Sequence, residues 1–157
     1  MREPTDEHER KTIDDVRNHG WHVVKVMEDD EGPGFAYTVG LGHSFDHPDL
    51  FVVGLPLDVA HDALNHVGEM IRGGTRFADG LECDGIFVGR KAGFRDMPEA
   101  QLWNYMTWTL WFYDGPGFSA LQLVWPDDHG RWPWDPPVQP SVREDQPVIA
   151  DQGDPPW

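Results

Sequence analysis

FAYTVGLGHSFDHPDLFVVGLP, residues 35–56, is the stretch that decides the fold class. Phe35 to Leu41 and Asp49 to Leu55 are rich in aromatic and β-branched residues, the side chains that pack well on a pleated surface. Between them GHSFDHP is full of turn formers and reads as a loop. Trp21 to Met27 (WHVVKVM) is a third such run, separated from Phe35 by the turn-like EDDEGPG. Three short strands this close in sequence predict an antiparallel meander.

Working outward, Leu57 to Arg72 is the clearest helix. Ala60, Leu64, Val67 and Ile71 recur at helical spacing, and Gly73-Gly74 stops it. Thr5 to Asn18 reads as a short helix with Ile13 and Val16 on its apolar face. Gly85 to Lys91 and Phe118 to Trp125 read as strands, with loop-like sequence over Arg76 to Asp84. A helix start is expected at Asp96-Met97-Pro98-Glu99, with Asp96 as cap. The run AQLWNYMTWTLWFY that follows is apolar nearly all round, which predicts deep packing and leaves a strand open for its second half. The sum is a single α+β domain with a mainly antiparallel sheet and two to three helices. Eight of the fourteen prolines lie between Pro126 and Pro156, and proline blocks regular ladders. An extended arm rich in proline and tryptophan is therefore expected at the C-terminal side. The expected divisions are an acidic segment with a short helix at 1–19, the domain at 20–148, and a disordered tail at 149–157.

The 157 residues carry 28 acids against 12 lysines and arginines, a formal charge of −16. Such a chain is repelled by phosphates, so nucleic acid and anionic membrane are not expected partners. A basic protein or a small molecule is. The single cysteine, Cys83, allows no intrachain disulfide. With no apolar leader and no spanning stretch, a soluble cytoplasmic protein is expected.

Four groups of residues could carry chemistry. In the loop, His43 and His47 with Asp49 offer imidazole and carboxylate, the donors a zinc or iron site needs. His61, His66, Glu82, Cys83 or Asp84 could supply a third ligand. The competing reading has both histidines bonding loop backbone, and it is preferred. Cys83 lies between Glu82 and Asp84, which oppose a thiolate, so a quiet structural cysteine is expected. Tyr37, Thr38, His43, His47, Asp49, Gln122, Asp127 and Arg131 form a candidate polar site. Trp125, Trp132 and Trp134 form an aromatic wall for a ligand, or a lid over the sheet. No P-loop, GxSxG, GxGxxG, HExxH or CxxC motif occurs.

FAYTVGL, the histidine loop, HPDLFVVGLP, the ALNHV helix segment and ALQLVWPDDHGRWPWDP together resemble the bacterial domain of unknown function DUF4262, over about Gly20 to Val148. Family members usually carry glutamate where Asp49 stands. The resemblance implies a small soluble domain without an assigned activity, cofactor or catalytic residue. The expected function is a non-catalytic binding or accessory protein, including an immunity-like one. The alternatives are a metal-assisted enzyme using His43 and His47, and a small-molecule binder with a tryptophan-lined pocket.

Overall fold

The computed structural model describes residues 4–30, 32–127, 129–135 and 146–149. Helix α1 spans Glu7–His19, with the Asp6 carboxylate capping the Glu9 amide and Gly20 stopping it in the left-handed region. Strands β1 (His22–Val26) and β2 (Phe35–Val39) follow, then a short helix α2 (Leu41–Phe45) and strand β3 (Asp49–Val53). Helix α3 is Leu57–Arg72; β4 (Glu82–Phe87) and β5 (Arg90–Asp96) form a hairpin. Helices α4 (Glu99–Tyr105) and α5 (Thr107–Tyr113) precede the last strand, β6 (Ala120–Val124). The fold is α+β, as expected, with one six-stranded sheet in the order β1-β2-β3-β6-β5-β4. Four of its five pairings are antiparallel; β3 and β6 run parallel at the centre.

Among the described residues, five helices stand where two to three were expected. One of the extra helices is α2, inside the stretch read as a loop. The run from Thr107, left open to a strand, is helical, because its apolar residues cover a sheet face and do not extend the sheet. The hairpin β4–β5 also differs from the single strand expected over Gly85 to Lys91. Its turn falls at Val88-Gly89, and Gly89 takes a φ of 72°. A glycine at positive φ reverses the chain inside the run Gly85 to Lys91, which reads as one strand, so local composition hides the turn. Asp96 closes β5 and does not cap a helix; Pro98 takes the cap position of α4.

Alternation along the strands divides the core between the two faces of the sheet. Leu50 and Val52 of β3, with Leu121 and Leu123 of β6, face α3 and pack on Leu64, Val67 and Ile71. Phe51 and Val53 face the other way, into Leu102, Met106, Leu110 and Phe112 of α4 and α5 and Val16 of α1. On this second face the helices cover the β1–β3 half.

Segments of the C-terminal arm cover the β6–β5 half. Gln122 is fully buried; its amide donates to the Pro147 carbonyl at 2.8 Å and accepts the Ile149 amide at 2.8 Å. Gln146 clasps both backbone groups of Trp125, each at 2.8 Å. Ile149 is buried in the second core and is not part of a tail; residues 150–157 lie outside the described residues. Trp132 lies over Gly93, where even a Cβ would come within 3.0 Å of its ring. Trp134 stacks on Trp132 at 5.2 Å and 5°, and the Arg95 guanidinium sits 4.8 Å above Trp134. Because Trp132 is half-buried, Trp132→Ala is expected to lower stability by about 1–3 kcal/mol, read by urea denaturation. A loss near zero would show that the arm does not help hold the sheet. Among the described residues, no helix is long and apolar enough to cross a membrane.

Candidate functional site

The site is built where β2 ends, β3 begins and the chain enters β6. Gly40, at φ 107°, turns the chain out of β2, and a Cβ there would lie 2.7 Å from Val16. No side chain can therefore cap α2 from Gly40. Asp49, the first residue of β3, supplies the cap: its Oδ1 accepts the Leu41 amide at 2.9 Å. The same oxygen accepts the Thr38 hydroxyl at 2.7 Å, and Thr38 Oγ1 in turn accepts the Leu50 amide at 2.9 Å. Oδ2 accepts the Tyr113 hydroxyl at 2.8 Å. That hydroxyl also accepts the His43 amide at 3.2 Å. One buried carboxylate thus ties together β2, α2, β3 and α5.

Burial pushes the Asp49 carboxyl up to about 6, although its hydrogen bonds favour the charged form. Burial also raises Tyr113, and the neighbouring Asp49 charge raises it further. Tyr113 is therefore a hydrogen-bond donor and a poor base.

His47 is buried beside this network with both ring nitrogens in use. Nδ1 donates to the Pro48 carbonyl at 2.8 Å, and Nε2 accepts the Phe77 amide at 3.0 Å. Burial holds its pKa below the ordinary imidazole value, with the Pro48 bond opposing and Arg76 assisting. It is a neutral imidazole fixed in one tautomer. Arg76 donates to the carbonyls of Phe45 and Asp46, closing the far end of α2.

Above Asp49 opens a cleft of about 470 Å³, lined by Gly42, His43, Asp46, Pro48, Tyr113 and Phe118, with Ser119 at its edge. The Tyr113 and Phe118 rings stack at 5.0 Å and 28°, giving a flat apolar wall. His43 is exposed on the rim, its ring edge-on to Phe112 at 5.8 Å.

The structure brings Thr38, His43, His47 and Asp49 together, as the sequence grouped them. Tyr37 is buried away from the cleft, where its hydroxyl accepts the Trp108 amide at 3.1 Å and seats α5. The other candidates lie elsewhere. Gln122 holds the arm. Asp127 Oδ1 accepts the amides of His129 and Arg131, at 2.9 and 2.8 Å, and its Oδ2 lies 3.4 Å from Arg131 Nε. These bonds, the Arg131 amide foremost, hold the Asp127 carboxyl below the ordinary range. Trp125 packs with the core on the α3 side, so it shares no wall with Trp132 and Trp134. A separate cleft of about 330 Å³ runs between the β4–β5 turn and Asp127, with Trp132 on its wall.

The proposed third metal ligands lie on α3 and β4; His66 Nε2 donates to the Gly85 carbonyl at 2.8 Å. Among the described residues, no three His, Cys, Asp or Glu side chains are grouped to hold a metal ion. Burial and Asp84 raise the Cys83 thiol, in the direction the sequence indicated.

Tyr113, Phe118 and Ser119 escaped the sequence reading. Tyr113 sits at the end of a run that is apolar nearly all round and reads as core packing, so its hydroxyl did not stand out. The chain matches DUF4262, described as a domain of unknown function, over residues 15–139, from within α1 through β6 and into the arm, and it belongs to that family. No curated protein and no solved structure matches it.

Proposed function

We propose that the protein is a non-catalytic binding protein and that the cleft over Asp49 and Tyr113 receives a small planar ligand with a polar edge. The observation that carries this reading is the commitment of the groups beneath the cleft. Both oxygens of Asp49, both nitrogens of His47 and the Tyr113 hydroxyl are engaged within the protein. Such bonds rigidify the cleft floor and preorganise the Tyr113–Phe118 wall, and burial to 1% exposure keeps the Asp49 carboxylate from meeting a reactant in the cleft. His43, Asp46 and Ser119 supply polar contacts at the rim, the usual composition of a recognition site.

A library of planar heterocyclic metabolites, followed by amide shifts in NMR spectra, tests the proposal. Saturable shifts at His43 and Ser119 are expected. Phe118→Ala should weaken that binding by about tenfold while the rest of the spectrum is kept, since ring stacking contributes about 0.5–1.5 kcal/mol beyond the area buried. No saturable shifts across the library, or the same affinity in Phe118→Ala, would remove the proposal.

A further inference from the structure

We infer that the groove between α1, the free edge of β1 and α3 binds a small tetrahedral oxyanion, the phosphate or sulfate head of a metabolite. The groove measures about 340 Å³ and is separate from the cleft over Asp49. Lys11 and His19 reach it from α1, His22 and Lys25 from β1, and His61 from α3; Asp15 is the one acid on its wall. The chain as a whole has more than two acids for every lysine or arginine, yet two of its three lysines face this groove. On the groove wall itself the lysines outnumber the acid two to one, which favours an anion there.

The polar groups are arranged as donors. Asp15 Oδ2 is held between His22 Nδ1 at 2.7 Å and Lys11 Nζ at 3.2 Å, so the carboxylate orients its neighbours. Asn65 Oδ1 accepts the Trp21 indole at 2.8 Å, which turns its NH₂ group toward His61, 3.4 Å away. Lys25 makes no ion pair among the described residues. β1 is an edge strand, so among the described residues no other strand covers its outer side. The His19 ring packs against Trp21 at 4.3 Å, tilted by 54°, and forms a side wall. The volume matches a small metabolite.

Charged groups approach the groove from both helices. From α1 come His8, 6.3 Å from the His22 ring, with Lys11, Asp14, Asp15 and His19. From α3 come Asp58, His61, Asp62 (3.8 Å from His61) and, over the Trp21 ring, Arg72. Burial keeps the His22 pKa low against the pull of Asp15.

Sulfate is the test probe, because its charge does not change near neutral pH. Isothermal titration at about pH 7 is run at fixed ionic strength with sodium chloride. One saturable site is expected. Lys11→Glu with Lys25→Glu should weaken it at least about tenfold, the worth of one charge-assisted hydrogen bond, with the circular dichroism spectrum unchanged. Lys91→Glu, away from the groove, should leave it unchanged. If the double variant misfolds, Lys25→Met alone carries the test and should weaken binding several-fold. Methyl phosphate in place of sulfate separates the two head groups, and tighter binding of either supports the site. No saturable binding of either anion would overturn the inference. So would equal loss in Lys91→Glu, or retention in the groove variants.

Discussion

Asp49→Ala is expected to destabilise the protein by about 3–5 kcal/mol in urea denaturation, because several buried donors lose their acceptor and each costs about 1–3 kcal/mol. The Thr38 hydroxyl, the Leu41 amide and the Tyr113 hydroxyl all point at this carboxylate. The helix α2 loses the carboxylate that caps its Leu41 amide at the same time. Asp49→Asn keeps the shape and one acceptor oxygen, so its cost at about pH 7 is expected to be well below that of alanine.

The asparagine variant also isolates a pH effect. The folded carboxyl titrates at about 6, against an ordinary value of 3.8. Between these values the folded state holds a proton that the unfolded chain has released. The contribution of Asp49 is therefore fully present below the lower value and is lost as pH rises through the upper one. The loss amounts to about 3 kcal/mol. Relative to Asp49→Asn, the natural protein should lose stability between about pH 4 and pH 6 and run parallel outside that window. Parallel curves across the whole range would show that Asp49 does not titrate there.

Gly68→Ala is expected to destabilise the protein, although the same change in an open helix gains about 1 kcal/mol. Gly68 lies inside α3, and a Cβ there would come 2.5 Å from the Trp21 ring. That ring cannot swing aside, since it is 1% exposed and its indole donates to Asn65 at 2.8 Å. Overpacking of this kind costs about 1–3 kcal/mol. Trp21→Ala, from the other side of the contact, should cost about 3–5 kcal/mol through the cavity it leaves. In Trp21→Ala the further change Gly68→Ala should become stabilising, because the obstacle is gone and only the helical gain remains. A stabilising Gly68→Ala in the natural background would show that Trp21 is not seated as described.

Local patterns carried much of the fold. The apolar face of α3 was legible because Ala60, Leu64, Val67 and Ile71 repeat with the helix period, and its bounds match the sequence reading. The strands β1, β2, β3 and β6 were legible because each is short, β-rich and bounded by turn residues. The β4–β5 hairpin was not, since Gly89 at positive φ makes its turn inside a run, Gly85 to Lys91, that reads as one strand. Helix α2 was not legible either: its cap comes from Asp49, beyond its own end, and five residues make too short a period to read.

What the sequence determined by itself is the place of most elements: helix α3, the strands β1, β2, β3 and β6, and many of the residues that face a core. All of these depend on contacts within about fifteen residues, where spacing and side-chain chemistry act directly. Only the tertiary structure decided that β6 lies parallel beside β3, that Tyr113 donates to a carboxylate 64 residues earlier, and that Gln122 binds the segment at Pro147 and Ile149. The physical reason is that such pairings are selected by the packing of the whole sheet and by the need to satisfy every buried polar group. No local pattern records which distant partner will meet that need.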